Sequence, residues 1–513
     1  MTVELASTPL FTGSDWDFAL INRIYETIEP IALQEMKLDI YPNQIEVISA
    51  EQMLDAYSSI GMPLFYKHWS FGKQFVTNEM MYRKGLRGLA YELVINSDPC
   101  INYLMQENSA TMQTLVIAHA AFGHNHFFKN NYVFKQWTDA EGILDYLEFA
   151  KRYIAQCEER YGQLPVERVL DAAHALMNQG VHRYPRVRPR DLKAEAAREA
   201  ERQAYRDRIY DDLWRTVPTG AKADAIPSDA RRAALGLPQE NILYFLEKSG
   251  PRLESWQREI LRIVRLIAQY FYPQRQTKAM NEGAATYTHY RIMTTLHERG
   301  WLTDGAFMEF LSSHTNVVYQ PTYDSGQFGG FNPYALGFGI MSDIERVCRA
   351  PTEEDREWFG DIAGSGDPME VLKDIWANYR DESFVSQFLS PHLIRQWRLF
   401  KILDKQGESE LRVDAIHDER GYRRIRRSLA REYEIGRQEP DIQVVDVDLA
   451  GDRKLIVEHS VLDGVQLEAR DAAMVLQNLA NLWGYEVLLK EVDSETRKEL
   501  KSHSAQPNAA WLR

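Results

Sequence analysis

From about residue 14 to residue 400 the apolar positions recur mostly every third or fourth residue. "DWDFALINRIYETIEPIALQEM" and "ESWQREILRIVRLIAQYF" (254–271) both carry this spacing, which predicts amphipathic helices. Shorter stretches break the rhythm. "DIYPNQIEVIS" (39–49) reads as extended, and "SSHTNVVYQPTYDSGQFGGFNPYALGF" (312–338) reads as a loop shaped for binding, because it concentrates Gly, Asn, Pro and Tyr. Residues 186–236 are charged and Ala-rich, an insertion or connection whose "LKAEAAREAERQAYRDRIYDDLW" predicts an exposed helix. No internal repeat is present.

The pattern changes toward the C-terminus. "DIQVVDVDLAGDRKLIVEHSVLDGVQLE" alternates apolar and polar residues on both sides of Ala450-Gly451-Asp452, which predicts a hairpin. "ARDAAMVLQNLANLWG" reads as a helix stopped by Gly484, and "YEVLLKEV" as a third strand. The expected fold is therefore mainly α: a large helical domain over 1–403, a basic connecting helix over 404–435, and a small C-terminal ββαβ domain over 436–513 with a flexible tail. The C-terminal domain shows no catalytic grouping, so docking or regulation is its expected role.

Length and charge narrow the classes. A chain of 513 residues can bury a large core and predicts two to four domains. Its net charge of −14 argues against a nonspecific grip on nucleic acid or anionic lipid, which needs clustered cations. The basic stretches "RYPRVRPR" (183–190) and "RGYRRIRRSLAR" (420–431) read as solvated faces or a linker. Cys100, Cys157 and Cys348 form no CxxC pair, which excludes a thiolate zinc site and fits a reducing compartment. No signal peptide is expected from the opening residues, and windows such as "LVIAHAAFG" are too short to span a bilayer, so the expected location is the cytoplasm. No nucleotide-binding motif is found.

The chemistry concentrates in "HAAFGHNHFFKNN" (119–131), which holds three of the thirteen histidines. His119 and His126 are seven apart and share a helix face, but stand ~10 Å apart along it. Glu282 and His289 in "KAMNEGAATYTHYRIM" repeat that spacing. Neither pair can chelate one ion alone, because ligand bonds are only ~2 Å long, although each can give one ligand to a site shared between helices. His119 and His124 are five apart and diverge in a regular α-helix. A π-bulge would bring them onto one side, and Gly123 is the residue there that most easily permits a bent or ended helix. Asp171 and His174, in "VERVLDAAHALMNQGVHRY", have the acidic-x-x-His spacing with which helical bundles bind di-iron centres. Glu92, in "RGLAYELVINSDPCINYLMQEN", is a further acid expected in a helical segment. For each of these the bland alternative is a hydrogen-bonded core residue, and His68, His182 and His314 are read that way. Several acids and imidazoles in apolar helices are nevertheless costly to bury without a shared partner.

"AHAAFGHNHFFKNNY", "LDAAHALMNQGVHRY", "REILRIVRLIAQYFYPQRQTKAMNEGAATYTHYRIM", "FNPYALGF", "YKHWSFGK" and "GLAYELVINSDPC" resemble the signature blocks of the SpoVR family, the stage V sporulation protein R-like proteins. They run in the family's order over about 15–400. The chain departs from the pattern at Ala284, usually Trp, at Thr288, usually aromatic, and at Lys67, commonly Asp. His126 falls at a variable position, which places it outside a ligand shell. The resemblance implies a process and partners more than a reaction: founding members serve the spore cortex, a peptidoglycan layer, and accompany a PrkA-type serine kinase and a von Willebrand-like protein. A second, shorter likeness links "MNEGAATY" to the Asn-Glu-Gly helix that supplies the third zinc ligand of gluzincin metallopeptidases. Those enzymes carry HExxH. Here "HAAFGH" is one residue longer, with Ala120 where the catalytic Glu would stand.

Two functional expectations follow. In the first, the protein is a metal-dependent amide hydrolase of a cell-envelope, sporulation or stress pathway. His119, His124 and Glu282 hold zinc, with iron the alternative, Glu92 serves as base, and His289 or Tyr287 stabilises the oxyanion. A dinuclear variant adds Asp171 and His174 and favours redox chemistry. In the second, the protein is a non-enzymatic scaffold or regulatory partner of the kinase complex, docking through its C-terminal domain.

Overall fold

The computed structural model describes residues 8–59, 66–83, 92–183, 235–322, 326–403, 412–448 and 451–511. The charged segment 186–236, except at its C-terminal end, and the junction before residue 412 lie outside the described residues. The described chain is mainly helical, and none of its helices is long and apolar enough to cross a membrane. It divides into two compact units, Met1–Arg152 with Phe271–Glu434, and Tyr153–Tyr270 with Ile435–Arg513.

The first unit opens with α1 (Phe18–Pro30), where Asp17 accepts a hydrogen bond from the Leu20 amide and so caps the helix. Leu20, Ile21, Ile24 and Ile28 form its buried stripe. A three-stranded sheet follows, with β1 (Asn43–Ile48) parallel and β2 (Glu92–Ile95) antiparallel to the central β3 (Cys100–Met105). Residues 92–105 were expected to be helical. They are two strands reversing at Asn96-Ser97-Asp98-Pro99, because a short apolar run fits strand or helix equally and the turn residues decide. Glu92 therefore projects from the first residue of a strand.

The core of this unit is a helix in three pieces: α2 (Ala110–Ile117), a π-helix (Ala118–His124) and α3 (Asn125–Asn130). Ser109 caps its start, and every residue of the first two pieces is buried. Against it pack α4 (Lys278–Glu298) and α5 (Asp304–Val317), with α6 (Pro333–Arg349) packed on α4. The expected loop over 312–338 is shorter than its composition suggests. α5 runs to Val317, and Asn332 closes the connection by capping α6 and donating to the Val317 and Tyr319 carbonyls.

Two close approaches set the geometry here. A Cβ on Gly123 would lie 2.6 Å from Ala285 Cα of α4, so only glycine lets the π-helix meet that backbone. A Cβ on Gly283 would lie 2.5 Å from Gly337 Cα, which brings α4 and α6 into backbone contact beside Glu282. The start of α4 is held by Asp381, the first residue of α7 (Asp381–Phe388), whose buried carboxylate accepts from the Ala279 and Met280 amides. The basic helix is α8 (Glu419–Glu432), with Tyr422, Ile425 and Leu429 buried and Arg420, Arg424, Arg427 and Arg431 exposed. A short antiparallel pair, β4 (Lys401–Leu403) and β5 (Arg412–Ala415), precedes it.

The second unit contains helix Gln163–Ala175 and a four-stranded sheet of order β6 (Asp441–Val447), β7 (Leu455–Val461), β8 (Val487–Asp493), β9 (Glu499–Ala505). β6 and β7 form the hairpin that the alternation predicts, and β7 buries every second residue. The crossover to the parallel β8 is α9 (Ala469–Trp483), which ends where Gly484 turns left-handed at φ 82°. β9 adds a fourth strand, antiparallel to β8, to the expected ββαβ order.

Candidate metal centre

The π-helix decides the direction of the histidines. Its wider turn, seen in the Asn125 amide bonding the Ala120 carbonyl, places residues five apart on one side. His119 and His124 thus lie with ring centroids 4.6 Å apart and planes at 87°. Such a turn leaves carbonyls without their usual partners, and Asn43 of β1 donates its side-chain amide to one of them, at Ala121.

Carboxylates reach the same point from two other elements. His119 Nε2 lies 3.5 Å from Glu92 Oε1 and 3.9 Å from Glu282 Oε2, while His124 Nε2 lies 3.6 Å from Glu282 Oε2. Glu92, His119 and His124 each offer a ligand atom within 4.8 Å of the others. With bonds of ~2.1 Å, ligands at tetrahedral angles stand ~3.4 Å apart, so these separations are those of donors around a single ion. Glu282 Oε2 is buried and accepts no hydrogen bond, a costly state that a cation would relieve. Two imidazoles and two carboxylates suit zinc or iron. The donor set fits a divalent ion.

The surrounding groups fix the donors. His124 Nδ1 lies 2.9 Å from Asn281 Oδ1, an acceptor, so Nδ1 carries the proton and Nε2 presents its lone pair. His119 Nδ1 lies 2.9 Å from His289 Nδ1, and His289 Nε2 lies 3.0 Å from His314 Nδ1. Burial holds the pKa of His119 and His289 well below the ordinary histidine value, reinforced by the neighbouring imidazoles, and lowers His314 to about 4. Glu92 is pushed up to about 8, by burial first and by the Glu282 carboxylate second. Tyr334, at the start of α6, stacks on His119 at 6.5 Å, and burial first and the Glu282 and Glu92 carboxylates second raise its pKa.

His119, His124, Glu282 and Glu92 are thus brought together. His289 stands one ring behind His119. Tyr287 points elsewhere and donates to Glu345 Oε2 at 2.7 Å. His126 turns away as well, its Nδ1 accepting from the Asp39 amide at 2.9 Å. Asp171 and His174 are half-buried on helix Gln163–Ala175 of the second unit and are not in the ligand grouping. Sequence reasoning missed Asn281, Tyr334 and His314 as parts of the centre. Asn281 and Tyr334 were visible as members of the quoted blocks "MNEG" and "FNPYALGF", whereas His314 carried no local signal.

The comparisons agree along nearly the whole chain. The family described as SpoVR like protein matches residues 15–438, and the SpoVR-like C-terminal domain matches 440–494, a span ending just before β9. A protein of Escherichia coli (strain K12), "Uncharacterized protein YcgB", is 51% identical over 494 residues, covering 96% of each chain. No solved structure matches.

Proposed function

The chain belongs to the SpoVR-like family, and we propose that it is a metal-dependent hydrolase of amide bonds, working in the envelope, sporulation or stress processes that the resemblance implies. His119, His124 and Glu282 would hold the ion, zinc first and iron second. The observation that carries this is the convergence of their donor atoms at single-ion spacing around an otherwise unsatisfied Glu282 oxygen. A divalent ion bound there supplies Lewis acidity, polarising a carbonyl and making water acidic enough to deprotonate near neutral pH.

The chain's own groups supply the rest. Glu92, 3.5 Å from His119 on the strand side, would take a proton from water once a bound cation offsets the burial and the Glu282 charge that raise its pKa, the role that Ala120 cannot fill. Tyr334 carries a hydroxyl beside both carboxylates and is the donor available to a developing oxyanion. That role passes to it because the Tyr287 hydroxyl is committed to Glu345 and both ring nitrogens of His289 face other histidines. Asn281 keeps His124 in its ligating tautomer.

Elemental analysis of the purified protein and its His119→Ala and Glu92→Gln variants, paired with a peptide-amide hydrolysis assay, tests this. About one equivalent of metal is expected in wild type, as in a mononuclear site, with loss in His119→Ala. Glu92→Gln should keep the metal and lose hydrolysis. A folded wild-type protein that takes up no zinc or iron would end the hydrolase proposal and leave the scaffold beside a PrkA-type kinase and a von Willebrand-like protein.

A further inference from the structure

We infer that His289 and His314 are positioning residues for the metal centre: a buried three-imidazole chain that fixes which nitrogen of His119 faces the ion. The inference rests on the metal site proposed above and extends it into the protein interior. The three rings come from three elements, His119 from the π-helix, His289 from α4 and His314 from α5. All are buried, at 3%, 2% and 6% exposure, and the contacts between them are 2.9 Å and 3.0 Å. Distances this short between nitrogens require one proton in each gap. They leave no room for two.

The tautomers then follow in order. His119 Nε2 faces Glu92 and Glu282, and to ligate it must present a lone pair there, so its proton sits on Nδ1. His289 Nδ1 must accept that proton, which places the His289 proton on Nε2. His314 Nδ1 accepts in turn, and the His314 proton is left on Nε2. Loading an ion at His119 therefore dictates the tautomer of His314, two rings away.

The surroundings hold the chain in place. His289 meets Phe310 edge-on at 5.9 Å, and His314 is packed by Phe310, Tyr290 and Phe338 at 5.6, 5.0 and 4.8 Å. Metal-bound histidines ordinarily donate to a carbonyl or carboxylate, a partner with fixed polarity. An imidazole can accept or donate, so the polarity has to match at every ring, and the polarity that lets His119 ligate requires His314 to accept. In the opposite polarity His289 would donate to His119 Nδ1, the His119 proton would be forced onto Nε2, and the ion would have no donor.

The test measures zinc affinity by chelator competition in wild type, His289→Leu, His289→Gln and His314→Phe, with thermal unfolding of each apo protein alongside. A second measurement reads 15N shifts of histidine-labelled protein, with and without zinc. His289→Leu is expected to weaken zinc binding ~10- to 100-fold, the range for loss of such an outer partner. His289→Gln, which can accept at its oxygen and donate from its nitrogen, should restore most of the affinity, and His314→Phe should fall between them. Zinc should leave His314 protonated at Nε2 alone. Equal affinity in the Leu and Gln variants, or zinc-bound His314 protonated at Nδ1, overturns the inference while leaving the metal site standing. Absence of zinc binding by wild type overturns both.

Discussion

Replacing Gly283 with alanine should loosen the contact that carries Glu282 to the histidines. The new Cβ would lie 2.5 Å from Gly337 Cα and 2.6 Å from its carbonyl carbon, all backbone that no side-chain rotation can move. Carbon atoms in contact settle at ~3.5 Å or more, so α4 and α6 must part by ~1 Å. A gap of that size forfeits a quarter to a half of each neighbouring dispersion contact, and overpacking of this kind costs ~1–3 kcal/mol. Helix propensity works the other way, since alanine gains ~1 kcal/mol over glycine. The net expectation is a loss of about 0–2 kcal/mol by these terms. Because Glu282 is the preceding residue, zinc affinity should fall ~10-fold or more, as ligand distances tolerate only ~0.2 Å. Gly72→Ala is the control: it lies in helix Trp69–Arg83 with nothing within 4 Å of its added Cβ, so only the propensity gain remains. Chemical denaturation and chelator competition on both variants decide the matter. If Gly283→Ala is as stable as wild type and binds zinc equally well, the close helix contact does not position Glu282.

Zinc at a hundred times its dissociation constant should raise wild-type stability by ~2.7 kcal/mol, seen as a higher melting temperature that a chelator reverses and that His119→Ala lacks. Asp381→Ala should cost about 1–3 kcal/mol in denaturant titration, because the Ala279 and Met280 amides at the buried start of α4 lose their acceptor. In the C-terminal sheet Glu491 is fully buried; burial raises its pKa, but the Leu467 amide, His503 and His459 outweigh burial and hold it below the ordinary value. A depressed carboxylate stabilises the fold above its unfolded pKa of ~4.3 and loses that contribution as pH falls through the folded value. Melting temperatures from pH 6 downward should therefore drop more steeply for wild type than for Glu491→Gln, and parallel curves would refute the pairing.

Some of this centre was legible because it is local. Two histidines five apart cannot share a side in an α-helix, so a metal reading of "HAAFGH" entails a π-turn, and the chain has one at Ala118–His124. Gly123 was legible only in part. Its spacing suggested a bend, while its structural use is to admit the Ala285 backbone of α4, a partner far along the chain. The C-terminal hairpin and the Gly484 stop were legible for the same local reason, since alternation and a left-handed cap are written in consecutive residues.

What the sequence withheld is tertiary. Glu92 looked helical because "YELVIN" is a short apolar run of either kind, and its place on β2 depends on the pairing with β3 that the Asn96–Pro99 turn permits. His314 had no motif, and its part is set by His289 of α4 arriving 3.0 Å away. The division of labour has a physical basis. The ligating nitrogens come from one continuous helix, whose internal geometry is fixed by its own hydrogen bonds. The carboxylates come from a strand edge and from α4, and the outer histidines from α4 and α5, so their arrival depends on packing at Gly123 and at the Gly283–Gly337 crossing. Small residues at those crossings are therefore as much a part of the metal chemistry as the donors. A centre of this kind fails first where the helices cross, with every ligand still present in the chain.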